Sequence, residues 1–184
     1  MANSIIGLTG GNGVGKTSLA RMLESRLYFT RLGFADPIRK AVAAAVGDTV
    51  ERTFSHPLKD APNHQLPGGI TPRALAICWA EAARQDFGDR FWVEHLAMRA
   101  ARCGPRIVID DVRFQIEADW INSNGGIVVA VGPPAGGLRA GTVAASVPSC
   151  PTEPEAWEAW LEGSEKQVLH LARHLLGDRR RTET

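Results

Sequence analysis

Cysteine is scarce in this chain. Three residues, Cys78, Cys103 and Cys150, are spread over 184 positions. An odd number at such distances gives neither a disulfide framework nor a zinc-ligand spacing, so reduced thiols are expected. Charge bias is missing as well: 21 basic against 20 acidic residues leave a formal net charge of +1. That balance supplies no global field for a nucleic-acid polymer or an anionic membrane. The densest basic run, Arg179–Arg181, reads as a solvated tail. No apolar run is long enough to span a bilayer, and the first residues lack the charged-then-apolar pattern of a secretory signal. A cytoplasmic protein is therefore expected. No repeat is present, and the length suits a single domain, residues 1–184, with a sizeable core.

Glycine, by contrast, is concentrated. The stretch TGGNGVGKTSLA (Thr9–Ala20) sets Gly10, Gly11, Gly13 and Gly15 within seven residues. It follows SIIGL (Ser4–Leu8), which reads as a short buried strand. It leads into a helix from Thr17 with Leu19, Leu23 and Leu27 spaced four apart. The pattern G-x-x-x-x-G-K-[ST] between strand and helix is that of a phosphate-binding loop. Glycines let successive N–H groups curl around phosphate oxygens without Cβ clashes. The helix N-terminus behind them adds donors and a positive partial charge. Gly11, Asn12, Gly13, Val14, Gly15, Lys16, Thr17 and Ser18 are the expected ATP-binding residues. Lys16 is expected on the β- and γ-phosphates, and the Thr17 hydroxyl on Mg²⁺.

Short apolar strands alternate with helices further on. RIVID (Arg106–Asp110) and GGIVVAV (Gly125–Val131) read as buried strands, and 34–46, 71–87, 90–101 and 115–124 as helices. That alternation predicts a three-layer α/β fold, a central parallel sheet covered by helices on both faces, in the manner of P-loop NTPases. Residues 47–70, with three prolines, read as a mobile excursion, and 132–154 as a Gly/Pro-rich loop. In the last helix Val168, Leu171, Ala172, Leu175 and Leu176 form one apolar stripe; Ser164 with Gln167 reads as a capping box, and Gly177 as the stop. The preceding AWEAWLEG fits either a helical turn or an edge strand.

The strand ending in Asp110 and Asp111 supplies the metal-side carboxylate. Adjacent acids on a continuing strand point to opposite faces, so one of the two is expected to serve Mg²⁺; Asp110 is the first choice. The alternative is that they cap the next helix. Two helix starts carry cations against their own dipole: Arg39 and Lys40 after the expected cap Asp36 and Pro37, and Arg73 after Thr71 and Pro72. An anion bound there would reverse the sign, which suggests a second phosphate site. Arg113, just beyond the acidic pair, is placed to touch a transferring phosphoryl group, and Arg84 is a further candidate. Two phosphate sites, Mg²⁺ and several arginines describe a phosphoryl transferase. No Asn-Lys-x-Asp stretch supports a GTPase.

From about Ile5 to Val131 the chain resembles the bacteriophage-type deoxynucleoside monophosphate kinases. FADPIRKAV is similar to that family's Phe-Ala-x-Pro segment, TPRALAICWAEAARQDFGDRFWV to its Pro-Arg helix with a later Arg and a Trp-Val, and DVRFQIEAD to its Asp-x-Arg-x-x-x-Glu signature. The resemblance implies transfer of the ATP γ-phosphoryl to a deoxynucleoside monophosphate, with Mg²⁺. Beside Lys16 it implies catalytic roles for Arg73, Asp111 and Arg113, and acceptor contacts from Arg39, Lys40, Arg73, Arg84, Arg113 and Glu117; the residues themselves add Asp36 and Trp79 as acceptor candidates. Trp92 is carried over with the Trp-Val pair. Asp36 either orients the acceptor sugar or caps its helix, and Phe34 and Trp79 either stack on the base or belong to the core. Cys78 and Trp79 stand where the family has Leu-Gly. The resemblance also favours a last strand at AWLEG before the Ser164 helix. Partners are then ATP and the monophosphate, with no nucleic acid and no membrane, in the host cytoplasm if phage-encoded; monomer or homodimer is left open. A kinase for another small acceptor, such as dephospho-coenzyme A, and a nucleotide-dependent assembly ATPase are the rival readings.

Overall fold

The computed structural model describes residues 4–133, 138, 141–149 and 156–177. Cys150, the Arg179–Arg181 run and the side chains of Leu171, Ala172, Leu175 and Leu176 lie outside the described residues. The chain divides into two compact units, one of Met1–Gly33 with Leu96–Thr184 and one of Phe34–His95.

Among the described residues the first unit has five strands: β1 (Ser4–Thr9), β2 (Thr30–Leu32), β3 (Arg106–Val112), β4 (Ile127–Val131) and β5 (Ala145–Val147). All neighbours pair in parallel, in the order β2-β3-β1-β4-β5. The central strand β1 is buried along its whole length, as a parallel strand covered on both faces must be. Helices α1 (Lys16–Leu27), α6 (Gln115–Ser123) and α7 (Trp157–Gly177) accompany the sheet. Ile6, Leu8, Val108, Val129 and Val131 from the strands pack with Leu19, Met22 and Leu23 of α1 and Val168 of α7 in one core. On the opposite face Gly7 lies under Ile121 of α6; an added Cβ there would come within 2.5 Å of its Cδ1.

Two expectations need correction here, and one strand has no signal in the sequence: β2 is three residues long and shows no period. The Gly/Pro-rich loop contains β5, which pairs with β4 through Val129↔Ala145 and Val131↔Val147. AWLEG is not a strand: α7 runs through it without a break, and Ser164 is a buried mid-helix residue rather than a cap. The reason is packing. Trp160, Leu161, Ser164 and Val168 recur at helical spacing and face the core, so one continuous stripe spans what reads in sequence as two elements.

The second unit holds α2 (Asp36–Ala45), α3 (Val50–Thr53), α4 (Pro72–Phe87) and the start of α5 (Phe91–Ala100). Ile38, Val42, Ala43 and Val46 are its buried apolar face of α2. The excursion is not without structure: α3 and short 3₁₀ turns at Leu58–Asp60 and Pro67–Gly69 occupy much of it, and Asn63 N–H donates to Ile70 O at 3.2 Å to close the loop. Among the described residues no helix is long and apolar enough to cross a membrane.

Candidate active site

The glycine loop leaves β1 at its carboxyl end, where ligands of parallel sheets bind. Two of its glycines show why the path needs that residue. Gly10 has φ +139°, and a Cβ on it would stand 2.3 Å from the carbonyl oxygen of Val131 on β4. Gly15 has φ +97° and caps α1 without any side-chain hydrogen bond; no acid occupies the first turn. The start of α1 thus presents uncapped N–H donors, an arrangement suited to an anion. Gly11, Asn12, Gly13, Thr17 and Ser18 are exposed, while Val14, Gly15 and Lys16 are half-buried. Lys16 Nζ donates to Gly10 O at 2.9 Å and to Gly11 O, so its ammonium lies over the loop.

Cations and carboxylates converge on this lysine. Partial burial and, next, the Arg113 guanidinium lower the Lys16 pKa, while Asp110 and Asp111 pull it upward. Arg113 Nη2 donates to the Asn12 side-chain oxygen at 3.4 Å, which joins the end of β3 to the loop. Asp110 and Asp111 are 4% and 7% exposed, so each is a buried carboxylate that requires compensation. For Asp110 that compensation includes Arg31 on β2, with Nη1 3.3 Å from Oδ2.

Adjacent residues on a regular strand point to opposite faces. The pairing register of β3 is not regular at the two acids. Ile109 lies beside Gly7 and Val112 beside Thr9, so β3 spends three steps where β1 spends two. Asp110 and Asp111 together thus stand against the single residue Leu8 of β1, an irregularity of the kind a β-bulge introduces. Neither acid caps the next helix: both belong to β3, and Phe114 is the cap residue of α6.

Glu117 has a defined task. Its Oε2 accepts from Arg113 N–H at 2.7 Å and from Phe114 N–H at 3.0 Å, reaching back from the first turn of α6. The buried carboxylate therefore fixes the backbone that carries Arg113. Nothing in the sequence singles out Arg31: its strand has three residues, and its place beside Asp110 comes from the pairing of β2 with β3.

The second unit carries the remaining candidates. Helix α2 begins one residue earlier than expected: Ala35 is the cap residue, already helical at φ −83° and ψ −5°, and Asp36 is the first residue of the helix. Asp36 thus offsets the dipole by charge and lies 4.0 Å from Arg39 Nη1. Lys40 is exposed one residue on. In α4 the expected start holds: Thr71 Oγ1 accepts from Ala74 N–H at 3.1 Å, with Pro72 at the first position. Arg73 follows in that turn and pairs with Asp60, Nε to Oδ1 at 2.9 Å. Arg84 lies in the last turn of α4. Trp79 presents an exposed ring, whereas Phe34 is buried. Trp92 has a structural partner, donating from Nε1 to Ala80 O at 3.0 Å.

Thr17, Asp110 and Asp111 offer only hard oxygen donors, which fits Mg²⁺, an ion usually held by one or two carboxylates together with phosphate oxygens. Among the described residues no group of three or more His, Cys, Asp or Glu forms a denser metal cage.

No protein-family model matches the chain. A curated protein of Acanthamoeba polyphaga mimivirus, "Putative deoxynucleotide monophosphate kinase", is 32% identical over 146 residues, 71% of this chain and 74% of the relative. The crystal structure of a "putative kinase" from Chloroflexus aurantiacus is 13% identical, covers 92% of this chain and 97% of its own, and superposes with a TM-score of 0.47. A likeness at that level bears on neither fold nor function.

Proposed function

The chain belongs to the deoxynucleotide monophosphate kinase family, and we propose that it transfers the γ-phosphoryl of ATP to a deoxynucleoside monophosphate, giving the diphosphate and ADP. The observation that carries this reading is the convergence of Lys16 and Arg113 on an open glycine loop backed by two buried carboxylates.

The donor triphosphate takes the N–H groups of residues 11–18. Lys16 exchanges its carbonyl partners, Gly10 and Gly11, for phosphate oxygens. Arg113 faces the transferred group and offsets the charge that spreads over its equatorial oxygens. The acceptor phosphate takes Arg73, with Arg39 and Lys40 as further cations; Arg84, at the other end of α4, is available to another part of the bound nucleotides. An acceptor phosphate oxygen displaces ADP in line, so one P–O bond forms as another breaks, and the protein's work is positioning and charge compensation. Trp79 offers its exposed ring to the acceptor base, and Asp36 is available to the sugar. Thr17 with Asp110 or Asp111 would hold Mg²⁺, which would supply positive charge to offset that of the phosphates.

Acceptor-dependent ADP formation tests the reading. With ATP and Mg²⁺, at least one of the four common deoxynucleoside monophosphates should raise the ADP rate about 100-fold or more over the acceptor-free rate, a gain of the size that orientation supplies. In Arg73→Ala the acceptor KM should rise with ATP binding unchanged. ADP formation indifferent to every monophosphate would contradict the proposal and favour the assembly ATPase.

A further inference from the structure

We propose that Asp60 is the positioning residue for Arg73, holding its guanidinium for the acceptor phosphate; this rests on the acceptor reading above. Arg73 stands in the first turn of α4, where the helix dipole disfavours a cation. An arginine there has no local reason to stay over the helix start, and its long stem is free to bend into solvent. Asp60 supplies the restraint from outside the helix. It ends the 3₁₀ turn Leu58–Asp60, whose backbone is tied by Asp60 N–H to Pro57 O at 2.9 Å. The chain returns from there to α4 through the Asn63–Ile70 closure, with Gln65 N–H on Asn63 Oδ1 at 2.9 Å.

The geometry of the pair gives the role its direction. Asp60 approaches Nε, the nitrogen nearest the stem, at 2.9 Å. The outer Nη1–Nη2 edge then remains for a second oxyanion, the bidentate arrangement arginine offers to phosphate. Both side chains are well exposed, 38% for Arg73 and 44% for Asp60. An ion pair so open to solvent adds little to stability. Its presence between an irregular segment and a helix start is better accounted for by orientation than by folding.

The test is a double-mutant cycle read on acceptor binding and kinetics. Asp60→Ala should raise the KM and Kd of the preferred monophosphate about 5- to 20-fold, with kcat and the ATP Kd within about twofold and Tm within a few degrees. Asp60→Asn, which keeps an oxygen for Nε, should fall between Asp60→Ala and wild type. Adding Asp60→Ala to Arg73→Ala should change the acceptor Kd no further, since a positioning residue acts through the group it positions. A lower KM in Asp60→Ala would overturn the inference by making Asp60 a competitor of the phosphate. An unchanged KM, additive effects in the cycle, or a joint loss of Tm and both affinities would overturn it too. If Arg73→Ala itself leaves the acceptor Kd unaltered, or if wild type neither binds nor phosphorylates any monophosphate, the acceptor reading falls and this inference with it.

Discussion

Lys16 meets two opposed demands. Unliganded, it is half-buried beside Arg113, and both effects lower its pKa below the ordinary 10.5. The sign for stability follows from proton uptake. Between the lowered value and 10.5 the unfolded chain binds the proton more tightly, so this group makes stability rise with pH in that window. Nucleotide binding has the opposite sign, because phosphate oxygens favour the charged ammonium. The Kd for ATP, measured by calorimetry from neutral pH to about 10, should therefore weaken at a pH below 10.5 in wild type and stay flatter in Lys16→Arg. A flat wild-type profile would contradict the account of Lys16. Gly10 carries a second prediction at this scale. Gly10→Ala drives a Cβ to within 2.3 Å of the Val131 carbonyl oxygen at a φ of +139°. A denaturant melt should show a loss of about 1–3 kcal/mol or more, with ATP binding lost as the loop moves. An unaltered melt would mean that β1 and β4 do not hold the loop as described.

At the level of elements, α6 and α7 make contrasting claims. Glu117 reaches back from the first turn of α6 and pins the Arg113 backbone, so Glu117→Ala should cost about 1–3 kcal/mol in a melt and lower kcat about 10- to 100-fold through a displaced Arg113. Normal turnover in that variant would remove Arg113 from the mechanism. Ser164 is buried in α7, and among the described residues its Oγ has no hydrogen-bond partner. Ser164→Ala should accordingly be neutral or stabilise by up to about 1 kcal/mol. The capping box read from the sequence demands the reverse, a loss of about 1 kcal/mol. These cases show where local pattern suffices. The loop, α1, the Thr71 cap of α4 and the strands β1, β3 and β4 were legible because each carries its own signal of glycine spacing, capping residue or apolar run. β2 and β5 were not, since three residues show no period and their strand character comes from the neighbours they pair with. The register shift in β3 was likewise invisible: it is a property of the pairing between two strands. Arg31 shared the fate of its strand.

For the molecule as a whole, the near-neutral charge matters. A net charge of +1 cannot by itself collect two highly anionic ligands. The cations are instead grouped: Lys16 and Arg113 at the loop in one unit, Arg39, Lys40, Arg73 and Arg84 on two helices of the other. The fold class was legible from the alternation of strands and helices, while the division into two units was not, because it depends on which segments pack together rather than on any linker composition. Family membership rests on the mimivirus relative, and the chemistry proposed for the chain stands on where the phosphoryl group goes. The most direct measurement follows γ-labelled ATP in the presence of each deoxynucleoside monophosphate. The label should appear in the corresponding diphosphate, in proportion to ADP formed, and Lys16→Ala should abolish that transfer. Label released as inorganic phosphate at the same rate with every acceptor and with none would contradict it.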